Sequence, residues 1–170
     1  MCLAPLFEPF QCKSLRLRNR IAMASMARWA SPGGNPAALA DFYTKRIKGG
    51  AALVMTEGAA INRPASYNDP QSARFFGPAL EGWKTVVQSV HAAGGAIAPQ
   101  LWHCGAVGKK GSDWVQDGDP ESPSGLVSAG NPRGHAMTNA DLDAVLKAYS
   151  EAGAATRTIG FDAVEVHAGH

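Results

Sequence analysis

No run of apolar residues in the 170-residue sequence approaches the roughly 18 that a membrane-spanning helix needs. The opening MCLAPLFEPF also lacks the charged start and sustained apolar stretch of a secretion signal. Both absences predict a cytoplasmic protein with no membrane partner. Cysteine is scarce: Cys2, Cys12 and Cys104 form no CxxC or other metal-ligand spacing, and an odd count suits a reducing compartment. Neither structural disulfides nor a metal site is expected. Net charge is low, +2 from 16 Lys and Arg against 14 Asp and Glu, and the basic residues are scattered, which argues against nucleic acid or an anionic membrane as partner. Neither G-x-G-x-x-G nor a P-loop sequence occurs, so the main signature of a doubly wound nucleotide-binding fold is missing.

What is present is a strand-then-helix rhythm in a chain that is 45% hydrophobic, enough for one globular domain. A short apolar run at 20–25 (RIAMAS) precedes a Ser-Pro-Gly-Gly loop and a helical pattern over 37–48, closed by Gly49 and Gly50. A second run, 51–56 (AALVMT), precedes a polar loop and a helix carrying Trp83, Val86, Val87 and Val90 at i, i+3, i+4, i+7, ended by Gly94 and Gly95. A third strand spans 96–101 (AIAPQL). About 35 residues rich in Gly, Ser, Pro and Asp follow without periodicity, a length usually reserved for function. Thr138 with Asp141 resembles a capping box for a helix that ends near Gly160, and a fourth strand, FDAVEV, leads to His167 and His170.

Near-continuous apolar strands alternating with amphipathic helices predict a parallel sheet covered by helices, hence α/β. The closed barrel fits better than the doubly wound form, because polar residues follow the C-terminal ends of successive strands: Ser25, then Glu57 and Gly58, then Gln100, then His167. Four strands are half of a (β/α)8 TIM barrel, and residues 6–19 are placed to close its bottom as a hairpin.

Four ordered motifs, LFEPFQCKSLRLRNRIAMASMAR, GGAALVMTEGAAI, HAAGGAIAPQLWHCGA and GFDAVEVHAGH, make the chain similar to the N-terminal half of the Old Yellow Enzyme family of FMN-dependent ene-reductases. The resemblance runs over nearly all of residues 1–170 and implies one FMN-binding TIM-barrel domain of which this is the first half, cut short at its C-terminus and inactive by itself. It implies FMN as cofactor, NAD(P)H as hydride donor, and a small-molecule substrate with an electron-poor double bond, an enone or nitroalkene. By the same resemblance Ala24, Ser25, Met26 and Ala27 contact the flavin after the first strand. Gly58 lets backbone approach the ring, and Gln100 hydrogen-bonds its pyrimidine edge. His167 and His170 grip the substrate oxygen, where charge develops, His167 also adjoining the flavin, and Trp29 lines the substrate pocket. Ala27 departs from the Thr or Cys usual in relatives, and Ser25 from a common Pro.

Other readings stay open on the residues alone. A histidine pair at a strand end can bind metal or cap a sheet, with His103 as a third imidazole; Cys104 can be a packed thiol or a nucleophile. His91 and His135 read as surface and loop residues, Trp83 as core, and Glu57 as a barrel-end carboxylate of open role. The alternatives for the whole are a dienoyl-CoA reductase or amine dehydrogenase carrying an added iron–sulfur cluster, or a non-catalytic half-barrel that needs a partner chain. A homo-oligomer is compatible with each, since the outer strands would present open edges.

Overall fold

The computed structural model of the protein describes residues 3–108 and 117–169. In chain order, a 3-10 turn Ala4–Phe7 leads to β1 (Phe10–Cys12), β2 (Leu15–Leu17) and β3 (Ala22–Met23), then α1 (Ala40–Lys48), β4 (Leu53–Ala60), α2 (Ala79–Ala92) and β5 (Ala96–Trp102). The long loop carries β6 (Glu121–Ser122), β7 (Leu126–Ser128), β8 (Asn131–Pro132) and β9 (His135–Ala136), and the described chain closes with α3 (Asn139–Ile159) and β10 (Glu165–Val166).

The main sheet is parallel with strand order β3-β4-β5-β10, the order of the sequence itself. One apolar cluster joins Val54, Ala59, Ile97 and Leu101 of the sheet to Tyr43 and Ile47 of α1, to Trp83, Val86, Val87 and Val90 of α2, and to Ala148 and Ala152 of α3. All three helices therefore cover the same face. Sequential strands with helices on one side are the winding of a (β/α)8 barrel, whereas a doubly wound sheet reverses its order and is covered on both faces. The antiparallel hairpin β1–β2 supplies Leu17, which packs on Ala52 and Ala96 at the N-terminal ends of the two central strands, so it closes the bottom as predicted.

Local chemistry explains the element boundaries. On α2 the predicted stripe is buried, with Trp83 wholly enclosed and its indole N–H donating to the Arg74 carbonyl at 2.8 Å. The capping box of α3 forms: the Thr138 hydroxyl accepts from the Asp141 N–H at 3.2 Å, and the Asp141 carboxylate accepts from the Thr138 N–H at 2.9 Å. The helix ends at Gly160, whose φ of +98° suits a residue without Cβ.

Three boundaries differ from expectation. The first helix opens as a 3-10 turn, Pro36–Leu39, because Pro36 brings no N–H and the Asn35 side chain caps Ala37 at 3.0 Å. Only Ala22 and Met23 of the first run pair with β4, and the chain then turns away from the ladder. Of FDAVEV only Glu165 and Val166 are strand. The start of that run is held instead by the Asp162 carboxylate, which accepts from the Ile97 N–H at 2.8 Å and pairs with His91 at 2.9 Å.

Candidate functional site

The site depends on one irregularity. Along β4 and β5, Met55 faces Ala98 and Gly58 faces Gln100, so three steps on one strand oppose two on the other. That is a β-bulge, and because strand side chains alternate with period 2, one extra residue reverses the facing of everything beyond it. Val54 before the bulge and Ala59 after it both lie in the helix-covered core, five residues apart. Gly58 is thereby turned to the inner face beside Gln100 and Trp102; without the extra residue it would face the helices. From the sequence, Glu57 and Gly58 are expected after the second strand. They lie within it, carried by the bulge.

A bulge leaves backbone groups without ladder partners, and side chains take them up here. The Glu57 N–H donates to the Tyr43 hydroxyl at 3.0 Å, and the Gln100 N–H to the Thr56 hydroxyl at 3.1 Å, which itself donates to the Glu57 carbonyl at 2.8 Å. Burial raises the Tyr43 pKa well above the usual phenol range, so the hydroxyl stays neutral. Tyr43→Phe orphans a buried N–H and is expected to destabilise the fold by about 1–3 kcal/mol in urea unfolding. An unchanged unfolding midpoint would mean the bulge does not need this hydroxyl.

The Glu57 side chain, 1% exposed, holds the loop that follows β3. Its Oε2 accepts from the N–H of Arg28 at 2.6 Å and of Trp29 at 3.1 Å, and its Oε1 from the Ser31 hydroxyl at 3.2 Å. Burial raises the carboxyl pKa, and these three donors work against that rise. Trp29 sits at φ +45°, a left-handed backbone seldom taken by a bulky residue.

Bulge and loop enclose a cavity of about 220 Å³. Seven of the residues singled out in the sequence line it: Ser25, Met26, Ala27, Trp29, Gly58, Gln100 and His167. Ala24 is exposed and does not line it. His170 lies outside the described residues. His167 follows β10, its N–H donating to the Leu101 carbonyl at 2.9 Å, and the Tyr149 hydroxyl of α3 reaches its carbonyl at 3.4 Å. Glu57, Ser72 and Trp102 complete the lining and were not assigned from the sequence. For Trp102, two residues beyond Gln100, strand alternation was a sufficient signal; for Ser72, on the β4–α2 connection, there was none. A Cβ on Gly58 would come within 3.2 Å of the Gln100 Oε1 and of the Trp102 ring, so glycine keeps this wall open.

His167 also borders a second cavity of about 230 Å³, together with His103, Glu121, Met137 and Tyr149. His103 is committed to structure. Its Nε2 pairs with Glu121 at 2.9 Å and its Nδ1 accepts from the Gly105 N–H at 2.9 Å. Arg63 binds the same Glu121 carboxylate through two nitrogens, at 2.6 and 2.5 Å, and reaches Asp141 at 2.9 Å. Glu121, His135 and Asp141 come close enough to share a cation, but the Arg63 guanidinium already supplies the positive charge to both carboxylates. Cys104 is buried, its thiol on the Ala65 carbonyl at 3.2 Å, in keeping with a packed role. His91 is exposed on the last turn of α2, and His135 lies in β9.

A parallel half-barrel with a cavity at the C-terminal ends of its strands, lined by an amide, a glycine and an imidazole, belongs to the TIM-barrel class of ligand-binding folds. Within that class, residues 5–170 match the NADH:flavin oxidoreductase / NADH oxidase family, and the chain is a member of it. Over 98% of its length it is 31% identical to 12-oxophytodienoate reductase 7 of Oryza sativa subsp. japonica, covering 45% of that protein. Over 96% of its length it is 33% identical to a chanoclavine-I aldehyde reductase of Penicillium roqueforti, again covering 45%. Among solved structures it superposes on morphinone reductase with a TM-score of 0.82 and 31% identity, over 96% of this chain and 47% of that one. A structure of morphinone reductase in complex with tetrahydroNAD gives 0.81 at the same identity. The chain spans about half the length of the relatives it matches. Among the described residues no helix is long and apolar enough to cross a membrane.

Proposed function

We propose that residues 1–170 are the N-terminal half of an FMN-dependent NAD(P)H oxidoreductase of ene-reductase type, which reduces an electron-poor double bond in an enone or nitroalkene. The observation that carries this reading is the convergence of Gly58, Gln100 and the 25–27 loop on the cavity that His167 also lines. The fit to a flavin is chemical. Among the described residues the Gln100 carboxamide has no hydrogen-bond partner, and it offers both donor and acceptor to a ring edge that presents both. Gly58 leaves room for a flat ring where a methyl group would crowd the amide. Among the described residues no lysine or arginine lines the cavity, so the phosphate of FMN would be held by groups beyond this lining, as in barrels that bind phosphate after their last strands.

In this role FMN would supply the two-electron carrier between NAD(P)H and substrate. Ser25, Met26 and Ala27 would bound the ring along one side, Gln100 would fix its orientation, and Trp29 would limit what lies above it. His167 and His170 would donate hydrogen bonds to the substrate's carbonyl or nitro oxygen, stabilising the negative charge that grows there. Titration with FMN followed by ring absorbance, and then NADPH oxidation with 2-cyclohexenone as acceptor, tests the reading. A protein that takes up no FMN as a closed barrel would refute it.

Ala27 offers a second check. Ala27→Cys puts a polar atom at the cavity wall and is expected to shift the bound flavin's midpoint potential and its rate of reoxidation by the enone. A potentiometric titration with no shift would mean that Ala27 does not face the ring.

A further inference from the structure

We infer that Glu57 is a positioning residue for the reaction proposed above: from the bulge of β4 its carboxylate fixes the 27–29 backbone against the cavity and sets a negative charge beside the ring that lies on Gly58. The inference rests on that functional reading. Two successive peptide N–H groups, of Arg28 and Trp29, converge on one carboxylate oxygen, the arrangement of an anion-binding nest. A neutral acceptor would hold them less strongly. Trp29 needs such a hold, since its left-handed backbone places Cβ near its own carbonyl. Glu57 also lines the cavity and is adjacent in sequence to Gly58. The Arg28 side chain lends this carboxylate a favourable positive charge. Its guanidinium lies over the Phe42 ring, 5.1 Å from the centroid, with its Nε on the Ala27 carbonyl at 3.1 Å.

Geometry and charge separate by substitution. Glu57→Gln keeps the size and one acceptor oxygen for the two N–H groups but removes the charge, and Glu57→Asp keeps the charge but shortens the reach. In the FMN-loaded protein, Glu57→Gln is expected to move the flavin midpoint potential in the positive direction, because the reduced ring no longer meets a buried anion. Glu57→Asp should leave the potential near the wild-type value while raising KM for bulky enones, as Trp29 loses its anchor. Adding Trp29→Gly to Glu57→Gln relieves the left-handed strain and should recover thermal stability without restoring the potential. A carboxylate that served structure alone would lower stability and flavin content in Glu57→Gln but leave the potential of the retained flavin unchanged, which would overturn the inference. A wild-type protein that binds no FMN would instead sink the functional reading, and this inference with it.

Discussion

In the ene-reductase proposed above, replacing His167 and His170 together by alanine is expected to slow enone reduction about 100-fold while flavin reduction by NAD(P)H stays close to the wild-type rate. The figure is that of a lost oxyanion-type donor, about 3 kcal/mol of transition-state stabilisation. The two half-reactions part because only the second builds charge on a substrate oxygen. His167 is well fixed for such a role. Its N–H is tied to β5 through the Leu101 carbonyl, its carbonyl meets the Tyr149 hydroxyl, and the residue borders the cavity opposite the 25–29 loop. Stopped-flow traces of each half-reaction provide the check. Equal slowing of both would show that the pair acts on the cofactor and not on the substrate oxygen.

The second large effect is expected far from that chemistry. Among the described residues, Arg63→Met leaves the Glu121 carboxylate, 3% exposed, with two imidazoles as partners, His103 at 2.9 Å and the more distant His135 at 3.8 Å. Stripping one member from a buried charge pair typically costs about 3–5 kcal/mol, most of it the penalty of a charge left without compensation. Burial works to raise the Glu121 pKa, but the Arg63 and His103 contacts outweigh it and hold the group below the usual carboxylate value. A lowered folded-state pKa means a contribution fully present above the unfolded value and lost as pH falls through the folded one. The gap between wild type and Arg63→Met should therefore be widest near neutrality and narrow in acid. Adding Glu121→Gln removes the stranded charge and should return much of the loss. Urea unfolding at pH 7 and pH 4 measures this; a loss under about 1 kcal/mol at pH 7 would place Arg63 among exposed pairs of little consequence.

How much of this was legible in the sequence depends on where each partner lies along the chain. The Trp83 stripe, the Thr138 and Asp141 box and the strand run ending in Gln100 are written in adjacent residues, and their elements form where periodicity and capping place them. Of the residues around the cavity, Ser25, Gly58, Gln100 and His167 are legible because each follows or ends a strand, whereas Met26, Ala27 and Trp29 come only through the resemblance of their motif. The bulge left no such trace. AALVMTEGAAI has no period-2 alternation to break, so nothing marks position 56 or 57 as the extra residue. Glu57 kept an open role for the same reason, since its donors sit 26–29 positions earlier in a loop. Arg63 and Glu121 are 58 positions apart, across the stretch that carried no pattern, and only folding brings them together.

The bulge in β4 also fixes how this strand can tolerate change in length. Side-chain substitutions there act by degrees, but loss of a single residue at 56 or 57 would restore the regular pleat and exchange inner and outer faces for Gly58 to Ala60 at one stroke. Ala59 would leave the core, and Gly58 would be turned away from Gln100. Alignment gaps in this family's second barrel strand are thus changes of phase, and a gap of one residue there should be read as a different cavity wall.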